Sequence, residues 1–382
     1  MELEELRSQI DLADKELLDA FSKRMSISEQ IGQVKKGMSK PILDASRERE
    51  KLASIYDMAN EKDKPYVLPL YSLLFELSRA AQCKNNSQLE SKYNVIDKII
   101  KEYEGKAFPS RAIVACQGIE GAFSQEACEK MFEIPSIMFV NSFSKVFASI
   151  DAGLCEYGII PVENSTAGTV TNIYDLMIKH SFSIVRSIRV KVSHNCLVMP
   201  GTKLSDIKEI VSHEHAINQC RDFIKSLGND VKVTYCSNTA VAAKMVADSG
   251  RKDLAAISSG TCASVYGLEI AKADVHDNGN NYTRFICIAR RPEIYPGADR
   301  TSIMMTLKHK PGTLYKVLAL LYARGINLVK LESRPLPDKD FEFMFYFDLD
   351  TSVYSSGFSE LLGELDNMSE EFRYLGSYSE IV

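Results

Sequence analysis

The chain of 382 residues has no apolar run approaching the ~20 residues a membrane-spanning helix requires, so no such span is expected. Its amino terminus reads as an acidic amphipathic helix, which gives no support for export. Nor is there an excess of positive charge. The 46 Lys and Arg residues stand against 51 Asp and Glu, the formal net charge is −5, and the basic residues are scattered, so the electrostatic footprint of nucleic-acid binding is missing. The 9 cysteines never form a Cys-x-x-Cys pair, and an odd, dispersed set fits reduced thiols in a cytoplasmic protein better than a disulfide framework or a zinc site. Solenoid repeats and low-complexity tracts are absent as well.

What is there is ordinary in bulk and unusual in pattern. A composition of 45% hydrophobic and 25% charged residues predicts a globular chain of roughly two to four domains. Residues 3 to 37 read as one helix, ended by Gly37 and closed off by Pro41, about 50 Å long. Leu3, Leu6, Ile10, Ala13, Leu17 and Phe21 fall in one sector of about 80° on the helical wheel, and Arg24 and Lys35 land in the same sector. Buried cations cost several kcal/mol each when unpaired, so carboxylates from the protein or from a ligand must meet them there; the bland alternative is that they snorkel, or pair with Asp44 and Glu48. Helices are also expected over 45–59 and 66–82, and a rod too long for its own domain predicts dimerisation by shared helices.

From residue 84 to 110 the sequence is polar and reads as a linker carrying a helix. Beyond it, short strands alternate with helices: strand 112–116, helix 124–132, strand 158–162, helix 169–180, strand 193–198, helix 215–226, strand 231–235, helix 240–249, strand 254–257, helix 262–266 and strand 284–289. This predicts an α/β domain with largely parallel sheets in two lobes, with ligands bound at strand carboxyl ends. After the boundary at Arg291, Pro292, Pro296 and Gly297, a β-α-β-β-α-β order with strands at 301–308, 326–332, 341–348 and 372–379 predicts a small ferredoxin-like domain.

Polar groups close off the apolar faces of the three amino-terminal helices: Asp44, Arg47 and Glu48 share one face of the second, and Ser78 and Gln82 continue the row of Leu70 and Leu74 on the third. With Arg7, Arg24 and Lys35, this set resembles the active site of the all-helical chorismate mutases over residues 1–86. The resemblance implies that Arg7, Arg24 and Arg47 clamp the two carboxylates of chorismate. Lys35 and Gln82 would face the ether oxygen, and Glu48, with Asp44 and Ser78, would hold the ring-hydroxyl side. The rearrangement is concerted and needs shape and charge, with no cofactor or metal. Arg7 points about 80–100° away from Arg24 on the wheel. In the family this arginine reaches across a dimer.

In the α/β region the string Tyr157-Gly158-Ile159-Ile160-Pro161-Val162-Glu163-Asn164-Ser165-Thr166-Ala167-Gly168-Thr169-Val170 reads as a buried strand, a polar loop and a helix start whose free N–H groups suit an anion. With Asn281-Tyr282-Thr283-Arg284-Phe285 and the polar loops at 118–124, 193–196, 212–220 and 237–240, the region 111–290 resembles prephenate dehydratase, and Thr-Arg-Phe is that family's hallmark. The resemblance implies a two-lobed, periplasmic-binding-protein-like domain. In it Thr283 is the catalytic hydroxyl, a hydrogen-bond donor to the departing hydroxide, and Arg284 a structural or substrate-facing cation. Glu163, Asn164, Ser212, Gln219 and Ser237 would line the cleft, with helix N-termini at Ser124, Ser165 and Thr239 taking carboxylates. Gly121-Ala122-Phe123-Ser124 departs from the usual glycine-serine-tyrosine-serine, leaving Ser124 as the contact. A metal at His213 and His215 has no third ligand of suitable spacing, and none is expected. His194 and His276 are read as structural, and Cys196, Cys220 and Cys262 as small core residues.

Residues 299–382 resemble an ACT regulatory domain of the phenylalanine-sensing kind, on Gly312-Thr313-Leu314-Tyr315 and Glu332-Ser333-Arg334-Pro335. Thr313 and Tyr315 depart from the usual glycine-alanine-leucine-valine. The resemblance implies phenylalanine bound between paired domains, as an inhibitor of a bifunctional enzyme that forms homodimers; whether these pair into tetramers stays open. The rivals are a non-catalytic small-molecule receptor and a dehydratase preferring arogenate.

Overall fold

The structure, a computed structural model, describes residues 3–38, 40, 44–83, 87–228, 230–277, 279–336 and 342–381. Helix α1 (Leu3–Gly37) is one unbroken rod, with Glu4 and Glu5 in its first turn and Lys35 and Lys36 in its last, each sign at the end its dipole favours. It is followed by α2 (Ala45–Met58), α3 (Lys64–Cys83) and α4 (Ser87–Tyr103), so the expected linker is largely helical. Pro41, expected to close off α1, lies outside the described residues, as does Phe341 at the expected start of a later strand.

The chain then alternates: β1 (Arg111–Gln117), α5 (Phe123–Met131), β2 (Ile134–Val140), α6 (Phe143–Asp151), β3 (Tyr157–Asn164), β4 (Gly168–Thr169), α7 (Thr171–Lys179), β5 (Ser183–Lys191), β6 (Asn195–Val198), β7 (Glu209–Ser212), α8 (Glu214–Asn218), α9 (Arg221–Ser226), β8 (Lys232–Tyr235), α10 (Thr239–Ser249), β9 (Leu254–Ser258), α11 (Thr261–Tyr266), β10 (Glu269–Lys272) and β11 (Tyr282–Ala289). The final stretch is β12 (Arg300–Thr306), α12 (Thr313–Ala323), β13 (Asn327–Pro335), β14 (Phe343–Asp350), α13 (Phe358–Met368), β15 (Glu371–Tyr378) and β16 (Glu380–Ile381).

Three sheets result, ordered β16-β5-β11-β3-β1-β2 with β4 against β3, then β10-β6-β9-β7-β8, then β13-β14-β12-β15. The first two are the lobes of the α/β region. Instead of being largely parallel they are mixed: β1 runs parallel to β2 and β3, whereas β11 is antiparallel to β3 and β5, and β6 to β9 and β10. The reason is connectivity. The chain leaves the first lobe after β5 and returns with β11, and no crossover helix forces the two into one direction.

Each lobe buries its own apolar layer, with Val114, Cys116, Ile159 and Cys287 in the first and Leu197, Ala242, Val246 and Ala256 in the second. Elements β2, α6 and β5 have no counterpart in the sequence reading; β5 carries Arg186, Ser187 and Arg189 among its apolar residues, which masks a strand. The expected helix over 215–226 is broken at Gln219 and Cys220 into α8 and α9. The described helices include none long and apolar enough to cross a membrane.

The compact units cut across the sequence domains. One unit holds Met1–Lys101 with Ile303–Arg373, and the other holds Glu102–Ser302 with Tyr374–Val382. Within the first, α3 packs on α12, where Lys316 lies 2.8 Å from Glu76, and the ring of Tyr93 on α4 meets Phe372 edge-on at 6.0 Å. Within the second, the last residues of the chain add β16 beside β5.

Candidate active sites

In the helical region, Arg24 reaches from α1 to α3, donating from Nη1 to the carbonyl of Leu74 at 2.8 Å and to the Ser78 hydroxyl, with its guanidinium 5.5 Å from the centre of the Phe75 ring. Burial lowers its pKa, against the opposing pull of Tyr71 and Glu48, and among the described residues it makes an ion pair with no carboxylate. A desolvated cation held only by neutral acceptors is a seat for an anion. About two helical turns further along, α1 touches α3: a Cβ at Gly32 would sit 2.8 Å from the Cα of Gln82, so only glycine lets the rods approach here. Gln82 presents a buried Oε1 with no partner among the described residues, and Lys35 is half-buried on the same helix as Arg24.

The other expected residues are placed differently. Asp44 caps α2, accepting from the backbone N–H of Arg47 at 3.0 Å, while the Arg47 side chain is exposed and lies 3.4 Å from Glu50. Glu48 is held by Arg79, which the sequence reading missed; Arg79 also pairs with Glu76. Burial pulls the Arg79 pKa down, but Glu76 and Glu48 outweigh it and raise it. Its signal was legible in principle, since Glu76 and Arg79 stand three apart on the face that carries Gln82. Arg7 is 62% exposed and, among the described residues, is paired only with Glu4 within its own helix, far along the rod from Arg24. Leu3, Leu6, Ile10, Leu17 and Leu18 are exposed too, and the only buried residues of α1 are Ser28 and Gly32.

In the α/β region the polar groups join into a chain between the lobes. Asn164, at the end of β3, accepts with Oδ1 from the backbone N–H groups of Thr166 at 2.9 Å and Ala167 at 2.7 Å. That fixes its amide, and Nδ2 donates to Thr283 Oγ1 at 2.9 Å and to Asn281 Oδ1 at 2.7 Å. Asn281 Nδ2 donates in turn to Gln219 Oε1 at 3.0 Å, which also receives His194 Nε2 at 2.9 Å. The Thr283 hydroxyl therefore accepts from Asn164, and among the described residues it donates to no protein group; its proton remains available. Burial pushes the pKa of His194 down to about 4, so the ring is neutral. Asn281 was missed as a site residue, although it stands two before Thr283 and so shares its face of the extended chain.

Register explains the aim of Thr283. It stands opposite Asn164 across the ladder, Arg284 opposite Glu163, and then the pairing slips so that Phe285 faces Pro161. Proline has no N–H for the ladder, and the bulge beside it re-aims the adjoining side chains. Arg284, next along the strand, points to the opposite face from Thr283 and is 4% exposed, with Nη1 3.9 Å from Glu163. It does not share the cleft face of Thr283, which corrects the substrate-facing option for this cation.

Five further positions were expected in the cleft. Ser212 is fully buried and donates to the carbonyl of Ile257, so it belongs to the interior of the second sheet and not to the cleft wall. Ser165 is not a helix start: its hydroxyl bonds the carbonyl of Asn280 and the N–H of Tyr282, tying the loop to β11, and α7 begins only at Thr171. Ser124, in the first turn of α5, donates to the carbonyl of Gln117 at 2.6 Å. Thr239 begins α10, whose cap is Asn238, and Ser237 is exposed. The starts of α5 and α10 face each other across the lobes, for a Cβ at Gly118 would lie 3.9 Å from Ser124 Oγ and 4.0 Å from Asn238 Nδ2. Cys196 and Cys220 are buried, which pushes each thiol up to about 12, and Cys262 is buried as well; all three are core residues. His213 and His215 stack at 5.2 Å.

At the carboxyl-terminal sheet, Gly312 caps α12 in a left-handed conformation, φ +82°, and Thr313 bonds back to the carbonyl of Lys310 at 2.8 Å. A hollow of about 340 Å³ opens there, lined by Pro311, Thr313, Leu314, Phe343 and Phe345 among others. Glu332, Ser333, Arg334 and Pro335 lie on the edge strand β13, paired with β14, and do not line this hollow.

Three family models match the chain: chorismate mutase type II over residues 6–83, prephenate dehydratase over 114–293 and the ACT domain over 301–361. The chloroplastic arogenate dehydratase/prephenate dehydratase 1 of Arabidopsis thaliana is 35% identical over 72% of this chain and 74% of its own length. The bifunctional chorismate mutase/prephenate dehydratase of Aquifex aeolicus is 29% identical over 99% of this chain and 98% of its own. A solved prephenate dehydratase from Arthrobacter aurescens in complex with L-Phe is 28% identical, with a TM-score of 0.64 over 70% of this chain and 89% of that one. The chain belongs to the prephenate dehydratase family and carries the chorismate mutase and ACT domains of its bifunctional members.

Proposed function

We propose that this chorismate mutase and prephenate dehydratase turns chorismate into phenylpyruvate and is inhibited by phenylalanine at its ACT domain. The observation that carries the dehydratase half is the Thr283 hydroxyl, which accepts from Asn164 and keeps its own proton for the departing ring hydroxide. A threonine hydroxyl is too weak an acid to protonate outright, so its part is a hydrogen bond to charge as it develops, while aromatisation and loss of carbon dioxide drive the step. Asn164, Asn281 and Gln219 hold that hydroxyl in place. The facing helix starts at Ser124 and Thr239 suit the substrate carboxylates.

In the mutase half Arg24 and Arg47 would hold the substrate carboxylates, Lys35 and Gln82 would face the rearranging ether, and Glu48, with Asp44 and Ser78, would hold the ring-hydroxyl side. Arg7 comes from a second copy of the chain. Support for a homodimer is the exposed apolar face of α1, which carries Leu3, Leu6, Ile10 and Leu17 beside Arg7. Phenylalanine would occupy the hollow beside Gly312, Thr313 and Leu314, its carboxylate at the start of α12 and its ring near Phe343 and Phe345. The run Glu332–Pro335 on the edge strand β13 suits pairing with a second ACT domain that closes the hollow. The eight cysteines from Cys116 to Cys287 are free thiols, which suits a cytoplasmic setting.

The test is to supply chorismate with no added metal or nucleotide. Phenylpyruvate should accumulate and phenylalanine should suppress it; accumulation of prephenate alone, or insensitivity to phenylalanine, rejects the corresponding part. Relatives named for arogenate as well as prephenate make the competing reading specific. Arogenate offered against prephenate in one assay decides between the two.

A further inference from the structure

We propose that Glu380, near the carboxyl end of the chain, is a positioning residue for the dehydratase reaction and acts through Arg284. Residues 380–381 run parallel to β5 as β16, with the Ser187 N–H bonded to the carbonyl of Ser379 at 3.1 Å. The approach is close, since a Cβ at Gly376, φ +142°, would fall 2.2 Å from the carbonyl oxygen of Ile184. Glycine there lets the chain pass directly against β5.

The segment delivers a carboxylate to a buried cation. Glu380 is 6% exposed at its side chain and Arg284 is 4% exposed, with Arg284 Nε 3.0 Å from Glu380 Oε2. Arg284 Nη2 donates to the Tyr378 hydroxyl at 2.9 Å, and that hydroxyl is 2.6 Å from Ser302 Oγ. The other Glu380 oxygen lies 2.8 Å from Arg189 Nη2. Arg284 Nη1 also lies 3.9 Å from Glu163, too far for a direct hydrogen bond.

Thr283 and Arg284 are successive residues of one strand, so their side chains leave it in opposite directions, and a twist of the strand that releases one moves the other. The bulge immediately after Arg284 loosens the ladder on that side. Anchoring Arg284 at Glu380 and Tyr378 on one face therefore sets the aim of Thr283 at Asn164 on the other. A buried arginine that loses the carboxylate at its Nε must shift among its remaining contacts, and that shift turns the strand.

The inference rests on Thr283 as the hydroxyl of the dehydratase step. Prephenate kcat and KM are measured for wild type, Glu380→Gln, Glu380→Asp and Tyr378→Phe in the full chain, with mutase turnover on the same samples as the check of folding. Displacing a catalytic group by a fraction of an ångström should cost Glu380→Gln roughly 10- to 100-fold in kcat with KM nearly unchanged. Glu380→Asp should recover part of the loss, and mutase turnover should stay at the wild-type level. Placed on an Arg284→Gln background, Glu380→Gln should cost nothing further. A wild-type kcat in Glu380→Gln, or an equal loss with and without Arg284, overturns the inference. Should Glu380→Gln fail to fold, Tyr378→Phe decides: a lowered kcat at constant KM supports the anchor, and an unchanged one overturns it. A wild type inactive on prephenate overturns the underlying reading, whereas an active one indifferent to Glu380 overturns this inference alone.

Discussion

In the helical region most of the polar groups at issue are charged, and Arg7 and Arg47 face solvent; in the α/β cleft they are neutral or paired, and joined to one another from Thr283 to His194. The difference follows from what each reaction asks. A concerted rearrangement of a dicarboxylate is accelerated by fixed charge around it, which a pair of long helices provides cheaply along a shared seam. An elimination needs one proton donor aimed at one oxygen, and aim comes from a network in which every amide is oriented by its neighbour. The first site is therefore open to completion by a second chain, while the second is closed within one lobe pair.

The sharpest break in that comparison is chemical independence. Thr283→Ala should lower prephenate turnover about 10³-fold and leave the mutase intact, because removing a donor to a developing oxyanion costs a few kcal/mol. Parallel assays on one sample check this, and joint loss would deny that the sites are separate. Arg24→Ala should do the reverse, lowering mutase turnover roughly 10²- to 10³-fold with dehydration preserved. Mixing it with an inactive Arg7→Ala chain tests completion by a second copy: random re-pairing should restore about a quarter of the mutase activity, since half of the dimers then hold one intact site. No recovery on mixing would place the whole site in a single chain.

A smaller effect probes the cleft network through pH. His194 has a folded-state pKa of about 4, set first by burial, against the usual 6.5. Below pH 6.5 the unfolded chain takes up a proton that the folded ring refuses, so stability falls as pH drops toward 4, by about 3 kcal/mol in all, and this group adds nothing further below that. Denaturant unfolding of wild type and His194→Gln across that window should show the variant lacking this component. Least of all, Arg79→Met should cost about 1–2 kcal/mol of stability and slow the mutase severalfold, as Glu48 and Glu76 lose their shared cation. An unchanged denaturation midpoint would show that solvent screens the pairs.

Much of this was open to inspection in the linear pattern. Helix α1 ends at Gly37 as its periodicity predicts, because a left-over glycine after a basic turn is a local signal. The order of the last domain followed from spacing in the same way. The mutase cations could be picked out because charge on an oily stripe is a contradiction visible at short range. Lost from view were features that need a partner distant in sequence. Ser212 looks like any loop hydroxyl until Ile257 is set beside it, and Arg284 looks like a ligand-facing cation until Glu380 arrives from the far end of the chain.

The amino-acid sequence thus determined by itself where helices and strands form, which faces are oily and which residue types are available for chemistry, since all of these depend on neighbours a few positions away. Only the tertiary structure decided which hydroxyl keeps its proton, which carboxylate is already paired, and that the final residues close the dehydratase sheet instead of the domain they follow. Those outcomes turn on distances between segments more than a hundred residues apart in some cases, and no local preference encodes a distance of that kind.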